Sequence, residues 1–191
     1  MRLNENTVLE GTRCILVPYS RDLVEQYHNW FVADPELLDA TGSDLLTIEE
    51  EYENQESWRT DETKLTFLIR DRTIAGNPLC GDINCFFSDF EKDQFVDCEH
   101  DSSQPQGLVG EINIMIAEKS SRRKGIAEEA LEMFTDFMKS NVTNLRALVA
   151  KIQMKNHASI NLFQKMGYVE FKRVDCFEEV HYLLKLDPSC F

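Results

Sequence analysis

The sequence predicts a single mixed α/β domain over residues 1–191, and three observations lead there. The length suits one compact domain with a full core. Apolar and aromatic residues make up 42% and 10% of the chain, so a packed globular interior is expected rather than a disordered or fibrous chain. Short strand-like runs alternate with longer stretches of helical periodicity, in the order β-α-α-β-β-β-α-β-α-β-β.

The first strand is Cys14-Ile15-Leu16-Val17-Pro18, an apolar run closed by proline. Ser20 caps a helix that lines up Leu23, Tyr27, Trp30 and Phe31 on one face. Thr47-x-x-Glu50 matches a capping box and starts a second helix reaching about Arg59. Leu65 to Arg70 and Gly81 to Phe87 read as strands joined around Gly76-Asn77-Pro78. Ser88 to Gly107 is polar and acidic, and reads as a long loop. Gly110 to Ile116 is a strand entering the core, and Ala127 to Lys139 a helix with Leu131, Phe134 and Met138 on one side. Leu145 to Ala150 is another strand. Asn156 to Met166 is a helix burying Ile160 and Phe163 and stopping at Gly167. Tyr168 to Val174 and Val180 to Leu186 close the pattern.

Twenty basic residues against thirty-four acidic ones give a net charge of −14, which disfavours nucleic acid and acidic membranes and favours cationic partners such as amines. The six cysteines show no zinc spacing, so no metal site is expected and the thiols read as reduced. Met1 to Asn6 carries no apolar leader, and no stretch approaches a membrane span. These features predict a soluble cytoplasmic protein. The acidic loop near 88–107 lacks metal-ligand spacing and reads as a solvated excursion.

The stretch from Glu111 to Lys139 carries the chemistry. A strand ends, a basic turn Lys119-Ser120-Ser121-Arg122-Arg123-Lys124-Gly125 follows, and a helix begins. Free amides and the positive end of the helix dipole then face outward, where phosphates bind. Gly125 lets a phosphate approach the backbone, at a helix start where a side chain is otherwise tolerated. Lys119, Arg122, Arg123 and Lys124 reverse the charge of an acidic chain, which points to a polyanionic ligand. A solvated turn, a nuclear-targeting segment or a nucleic-acid patch has the same composition. Neither a Walker loop nor a Rossmann fingerprint is present.

On these residues the chain resembles the GNAT acetyltransferases. Arg122-Arg123-Lys124-Gly125-Ile126-Ala127 matches the family signature R/Q-x-x-G-x-G/A, and Asn156-x-x-Ser159-x-x-Leu162-Phe163-x-Lys165-x-Gly167-Tyr168 is similar to its second CoA motif. Leu9-x-Gly11 and Leu16-Val17-Pro18-Tyr19 resemble the RimJ/RimL-type branch, and more narrowly the N-acetyltransferase 9-like group, associated with N-terminal acetylation of α- and β-tubulin. The resemblance implies a mostly antiparallel mixed sheet, splayed at the cofactor strand and flanked by helices. It implies acetyl-CoA as co-substrate, held by Arg122 to Ala127 at its pyrophosphate. The backbone of Met115, Ile116 and Ala117 would pair with the pantetheine like an added strand. Asn156 would contact the pantetheine, or cap its helix, or both.

Acetyl transfer needs an amine stripped of its proton, a stabilised oxyanion and a departing thiolate. Glu111 lies eleven residues before Arg122, where some GNAT enzymes carry a catalytic glutamate; it is also what an exposed strand start looks like. Met115 or Ile116 N–H is the candidate oxyanion donor. Many members carry a tyrosine acid where this chain has Phe163, which cannot donate a proton. Glu178 and Glu179 read as the rim of an acceptor site or as an acidic turn. The implied acceptor is a protein amine, specifically tubulin's N-terminus. A lysine or small-amine acetyltransferase, and a non-catalytic acetyl-CoA-binding module that stabilises a cytoskeletal partner, are the alternatives.

Overall fold

The computed structural model describes residues 2–90 and 107–186. Eight strands form one sheet in the order β1-β2-β3-β4-β5-β6-β8-β7. They are β1 (Leu9–Glu10), β2 (Cys14–Pro18), β3 (Lys64–Asp71), β4 (Leu79–Asp89), β5 (Leu108–Ile116), β6 (Leu145–Gln153), β7 (Val169–Val174) and β8 (Glu179–Lys185). The helices are α1 (Val24–Ala33), α2 (Pro35–Thr41), α3 (Ile48–Thr60), α4 (Ile126–Asn141) and α5 (His157–Lys165). The predicted α/β order holds, with α2 and the two-residue β1 added. The predicted acidic loop lies outside the described residues from 91 to 106.

Two compact units divide the chain. One holds Met1–Asn84 and Ile114–Phe134, the other Cys85–Asn113 and Thr135–Phe191. β4, β5 and α4 each run from one unit into the other.

In the first unit β1, β2 and β3 pair antiparallel, with Cys14 opposite Asp71 and Pro18 opposite Phe67. Successive side chains of β3 point to opposite faces, so Leu68 and Phe67 serve two different cores. Leu68 joins an aromatic cluster of Tyr19, Tyr27, Trp30 and Phe31 with Leu79 and Ala117. Tyr27 meets Trp30 and Phe31 edge-on, at centroid distances of 5.7 and 5.4 Å, the geometry ring quadrupoles prefer. Phe67 meets Phe134 of α4 edge-on at 6.0 Å. Thr47 caps α3 as predicted: its hydroxyl accepts from the Glu50 amide while the Glu50 carboxylate accepts from the Thr47 amide. Ser20 does not cap α1. It precedes a 3-10 turn, Arg21–Leu23, makes no side-chain cap bond, and leaves α1 to begin at Val24.

In the second unit β5 and β6 are parallel from Leu108 to Glu111, and β6–β8 and β7–β8 are antiparallel. Val109, Ala147, Val149 and Leu183 pack together with Phe90 on one face. The opposite face carries Tyr182, whose hydroxyl accepts from Gln164 of α5 at 3.1 Å. In α5, Phe163 is buried as expected, whereas Ile160 is only half-buried. Cys14, Cys80, Cys85 and Cys176 are free thiols. No helix among the described residues is long and apolar enough to cross a membrane.

Candidate active site

The basic turn after β5 belongs to the first unit, and its backbone departs from ordinary helical entry. Arg123 and Gly125 have φ of +61° and +78°. The first helical hydrogen bond of α4 runs from the Glu129 amide to Gly125 O, so the amides of Gly125, Ile126 and Ala127 precede the ladder. A Cβ on Gly125 would sit 3.1 Å from the Arg13 guanidinium, in a backbone region that L side chains rarely adopt. The expectation that a side chain is tolerated at this position is therefore corrected: the left-handed backbone favours glycine there, and a side chain would also have to shift the Arg13 guanidinium.

The four cations of the turn serve different ends. Arg122 donates from Nε to Ile116 O (2.8 Å) and from Nη2 to Ala117 O (3.1 Å), tying the turn to the end of β5. Lys124 reaches inward to Asp71, 3.2 Å away and fully buried, where Ser121 also donates at 2.7 Å. Although burial pushes the Asp71 carboxyl up, bonds from Thr73, Ser121 and Lys124 bring it below the ordinary value. Lys119 pairs with Asp34 at 2.8 Å. Arg123 is exposed and has no partner among the described residues. So the positive charge directed outward at this turn comes from Arg123, joined by Arg13, a residue sequence reasoning missed. Arg13 lies 106 positions before Lys119, one residue ahead of β2, and nothing in its own neighbourhood marks it as a ligand-facing cation.

Glu129, in the first turn of α4, holds Arg13 in place. Its carboxylate accepts from the amides of Thr12 (2.9 Å), Arg13 (2.6 Å) and Cys14 (2.9 Å), and from the Thr12 hydroxyl at 2.5 Å. Burial pushes this carboxyl up, but the bonds outweigh it and hold it at about 2.

Gly81 serves the end of β5. A Cβ there would clash with Met115 O, so only glycine lets the two backbones approach. Ile116 and Ala117, expected to offer backbone bonds to the pantetheine, have carbonyls that already accept from Arg122; a carbonyl has a second lone pair.

The remaining predicted residues lie in the second unit. Glu111, one-third exposed at its side chain, forms an ion pair with Lys151 at 2.6 Å. Asn156 caps α5, its Oδ1 accepting from the Ser159 amide at 3.1 Å. Phe163 stacks edge-on with Tyr168 at 5.0 Å, and the Tyr168 hydroxyl is buried with no hydrogen-bond partner among the described residues. Glu178 turns the β7–β8 hairpin with φ of +53°, and Glu179 lies 3.2 Å from His181.

A glycine-favouring turn, helix amides ahead of their ladder and two outward guanidinium groups suit a pyrophosphate, so the residues present fit a CoA ester. Residues 13–169 match the family described as Acetyltransferase (GNAT) domain. The chain belongs to the GNAT acetyltransferases, and its activity is acetyl-CoA-dependent N-acetyl transfer. It is 37% identical to an N-acetyltransferase 9-like protein of Nematostella vectensis, across all of this chain and 91% of that protein. It is also 37% identical to the alpha/beta-tubulin-N-acetyltransferase 9 of Drosophila melanogaster, over 99% of this chain and 92% of that one. Among solved structures, the Salmonella typhimurium acetyltransferase that modifies the N-terminal serine of ribosomal protein L7/L12 shares the fold, with a TM-score of 0.71 at 14% identity; the match covers 95% of this chain and all of that one.

Proposed function

We propose that this enzyme acetylates the N-terminal amine of a protein, namely α- or β-tubulin, in the cytoplasm. The observation that carries the acceptor is the near full-length likeness to alpha/beta-tubulin-N-acetyltransferase 9 of Drosophila melanogaster. The family match from 13 to 169 supports one GNAT domain over 1–191, and the free thiols suit a reducing compartment.

Bound acetyl-CoA supplies an activated acetyl thioester. The amides of Gly125, Ile126 and Ala127 hold its pyrophosphate, with Arg13 and Arg123 adding charge. Arg122 and Lys124 act on the protein, fixing the turn to β5 and to Asp71. Met115, Ile116 and Ala117 would offer backbone groups to the pantetheine, Met115 or Ile116 N–H would be the donor for the oxyanion, and Asn156 and Phe163 would add cofactor contacts. Glu111 takes the proton from the acceptor ammonium, which must first displace Lys151 from it. An arriving ammonium replaces one cation by another at the same carboxylate, so Glu111 stays paired while Lys151 gives up its partner.

Intact-mass spectrometry of tubulin N-terminal peptides after incubation with acetyl-CoA tests the reading. The expected result is a single acetyl group on the α-amine. Acetylation confined to lysine side chains would show a lysine acetyltransferase instead. Tight acetyl-CoA binding with no product on any amine would show a binding module.

A further inference from the structure

The face of the second unit opposite α5 carries an open groove of about 320 Å³ whose lining includes Glu111, Val149, Lys151, Lys172 and His181, with Phe171 as an aromatic wall. Its basic groups stand in a row. Lys151 on β6 is directly opposite His181 on β8, and His181 is directly opposite Lys172 on β7. Directly opposed residues share one face with Cβ atoms about 5 Å apart, so the three side chains form one continuous row. In a chain with fourteen more acidic than basic residues, this row gathers two lysines and a histidine on one face.

The neighbouring carboxylates answer it only in part. Glu111 takes Lys151 at 2.6 Å and Glu179 takes His181 at 3.2 Å. Lys172 is exposed and has no partner among the described residues. The positive charge left over is therefore at the end of the row farthest from Glu111.

We propose that this groove selects acceptors bearing an acidic side chain close to the N-terminus, with Lys172 as the residue that reads it. The proposal rests on Glu111 receiving the acceptor's amine. From β5 to β7 there are three strand spacings of about 4.8 Å, so Lys172 lies roughly 14 Å along the row from the Glu111 strand. An extended chain advances about 3.3 Å per residue, which sets the acidic residue within the first four or five positions. The amine and the carboxylate cooperate. When the ammonium takes Glu111, Lys151 is released beside His181 and Lys172, and the row gains the charge that an acceptor carboxylate neutralises.

The test is fluorescence anisotropy of labelled hexapeptides with free N-termini, titrated with the full chain in the presence of CoA. Three peptides differ only in carrying Glu, Ala or Lys at positions 2 to 4. The Glu peptide is expected to bind about five- to tenfold more tightly than the Lys peptide, the size of an exposed charge pair. The gap should close in 0.5 M NaCl, where the screening length falls to about 4 Å. Lys172→Glu should reverse the order, and Lys172→Arg should keep it. Equal affinities for the three peptides, or a preference untouched by Lys172→Glu, would overturn the proposal. The readout does not depend on turnover: a Glu peptide bound preferentially yet never acetylated would leave the groove's selectivity standing and defeat N-terminal acetylation. Equal kcat/KM and equal binding for all three would do the opposite.

Discussion

Gly125 has two separate reasons to be glycine, and they are distinguishable by substitution. Any side chain there adopts a left-handed conformation that costs roughly 1–2 kcal/mol and presses on Arg13. A carboxylate adds repulsion toward the pyrophosphate. Gly125→Ala therefore isolates the strain, and Gly125→Glu adds the charge. Calorimetry should show Gly125→Glu binding acetyl-CoA at least about tenfold more weakly than Gly125→Ala, a difference of ~1.4 kcal/mol, with similar melting temperatures for the two. Equal affinities would remove the phosphate from this turn. Glu111 is tested by Glu111→Gln, which should lower kcat on a peptide amine by about 10²–10⁴-fold at neutral pH and leave acetyl-CoA affinity nearly unchanged. The deficit should shrink at high pH, where the amine deprotonates unaided; a deficit constant with pH would assign the base elsewhere.

At the scale of elements, α4 is tied to the β1–β2 hairpin by one carboxylate. Glu129→Ala leaves the amides of Thr12, Arg13 and Cys14 without that acceptor, and since the site is partly open to water the loss should be about 2–3 kcal/mol. A melting temperature lower by roughly 5–10 °C, together with weaker acetyl-CoA binding as Arg13 loses its hold, is the expected pair of results. Glu129→Ala that melts like wild type would show the carboxylate to be dispensable. This tie also explains what the sequence made legible. The capping box at Thr47, the cap at Asn156 and the glycine turn at 125 are local: a few consecutive residues contain both partners, so spacing reveals them. Glu129 and Arg13 are more than a hundred positions apart, and no local pattern joins them. The inward turn of Lys124 was hidden for the same reason, because its partner Asp71 is 53 residues away. Helix α2 went unread because seven residues are too few to show a helical period, although Pro35 at its first turn is an ordinary start signal.

At the scale of the whole molecule, one buried carboxyl should contribute a loss of stability as pH rises toward neutrality. Asp82 on β4 is 3% exposed, and its side chain accepts from Asn84 at 2.8 Å. Burial pushes its pKa up to about 7, with the Asn84 bond opposing the shift. The unfolded chain ionises this group near its ordinary value of 3.8. Below that pH both states hold the proton, and the group costs the fold nothing. Between about 4 and 7 the unfolded state gives up its proton while the folded state keeps it, so stability drops through this window and levels above it. Asp82→Asn keeps the shape, still accepts from Asn84 and cannot ionise. Its melting temperature relative to wild type should be constant below pH 4 and rise from pH 4 to 7. The gain should reach about 2–4 kcal/mol, or roughly 5–10 °C, by pH 8. Every other titrating group is shared by the two proteins and cancels in the difference. Thermal melts of both across pH 3.5 to 8.5 measure it directly, and a difference independent of pH would show that Asp82 ionises in the fold as readily as it does in water.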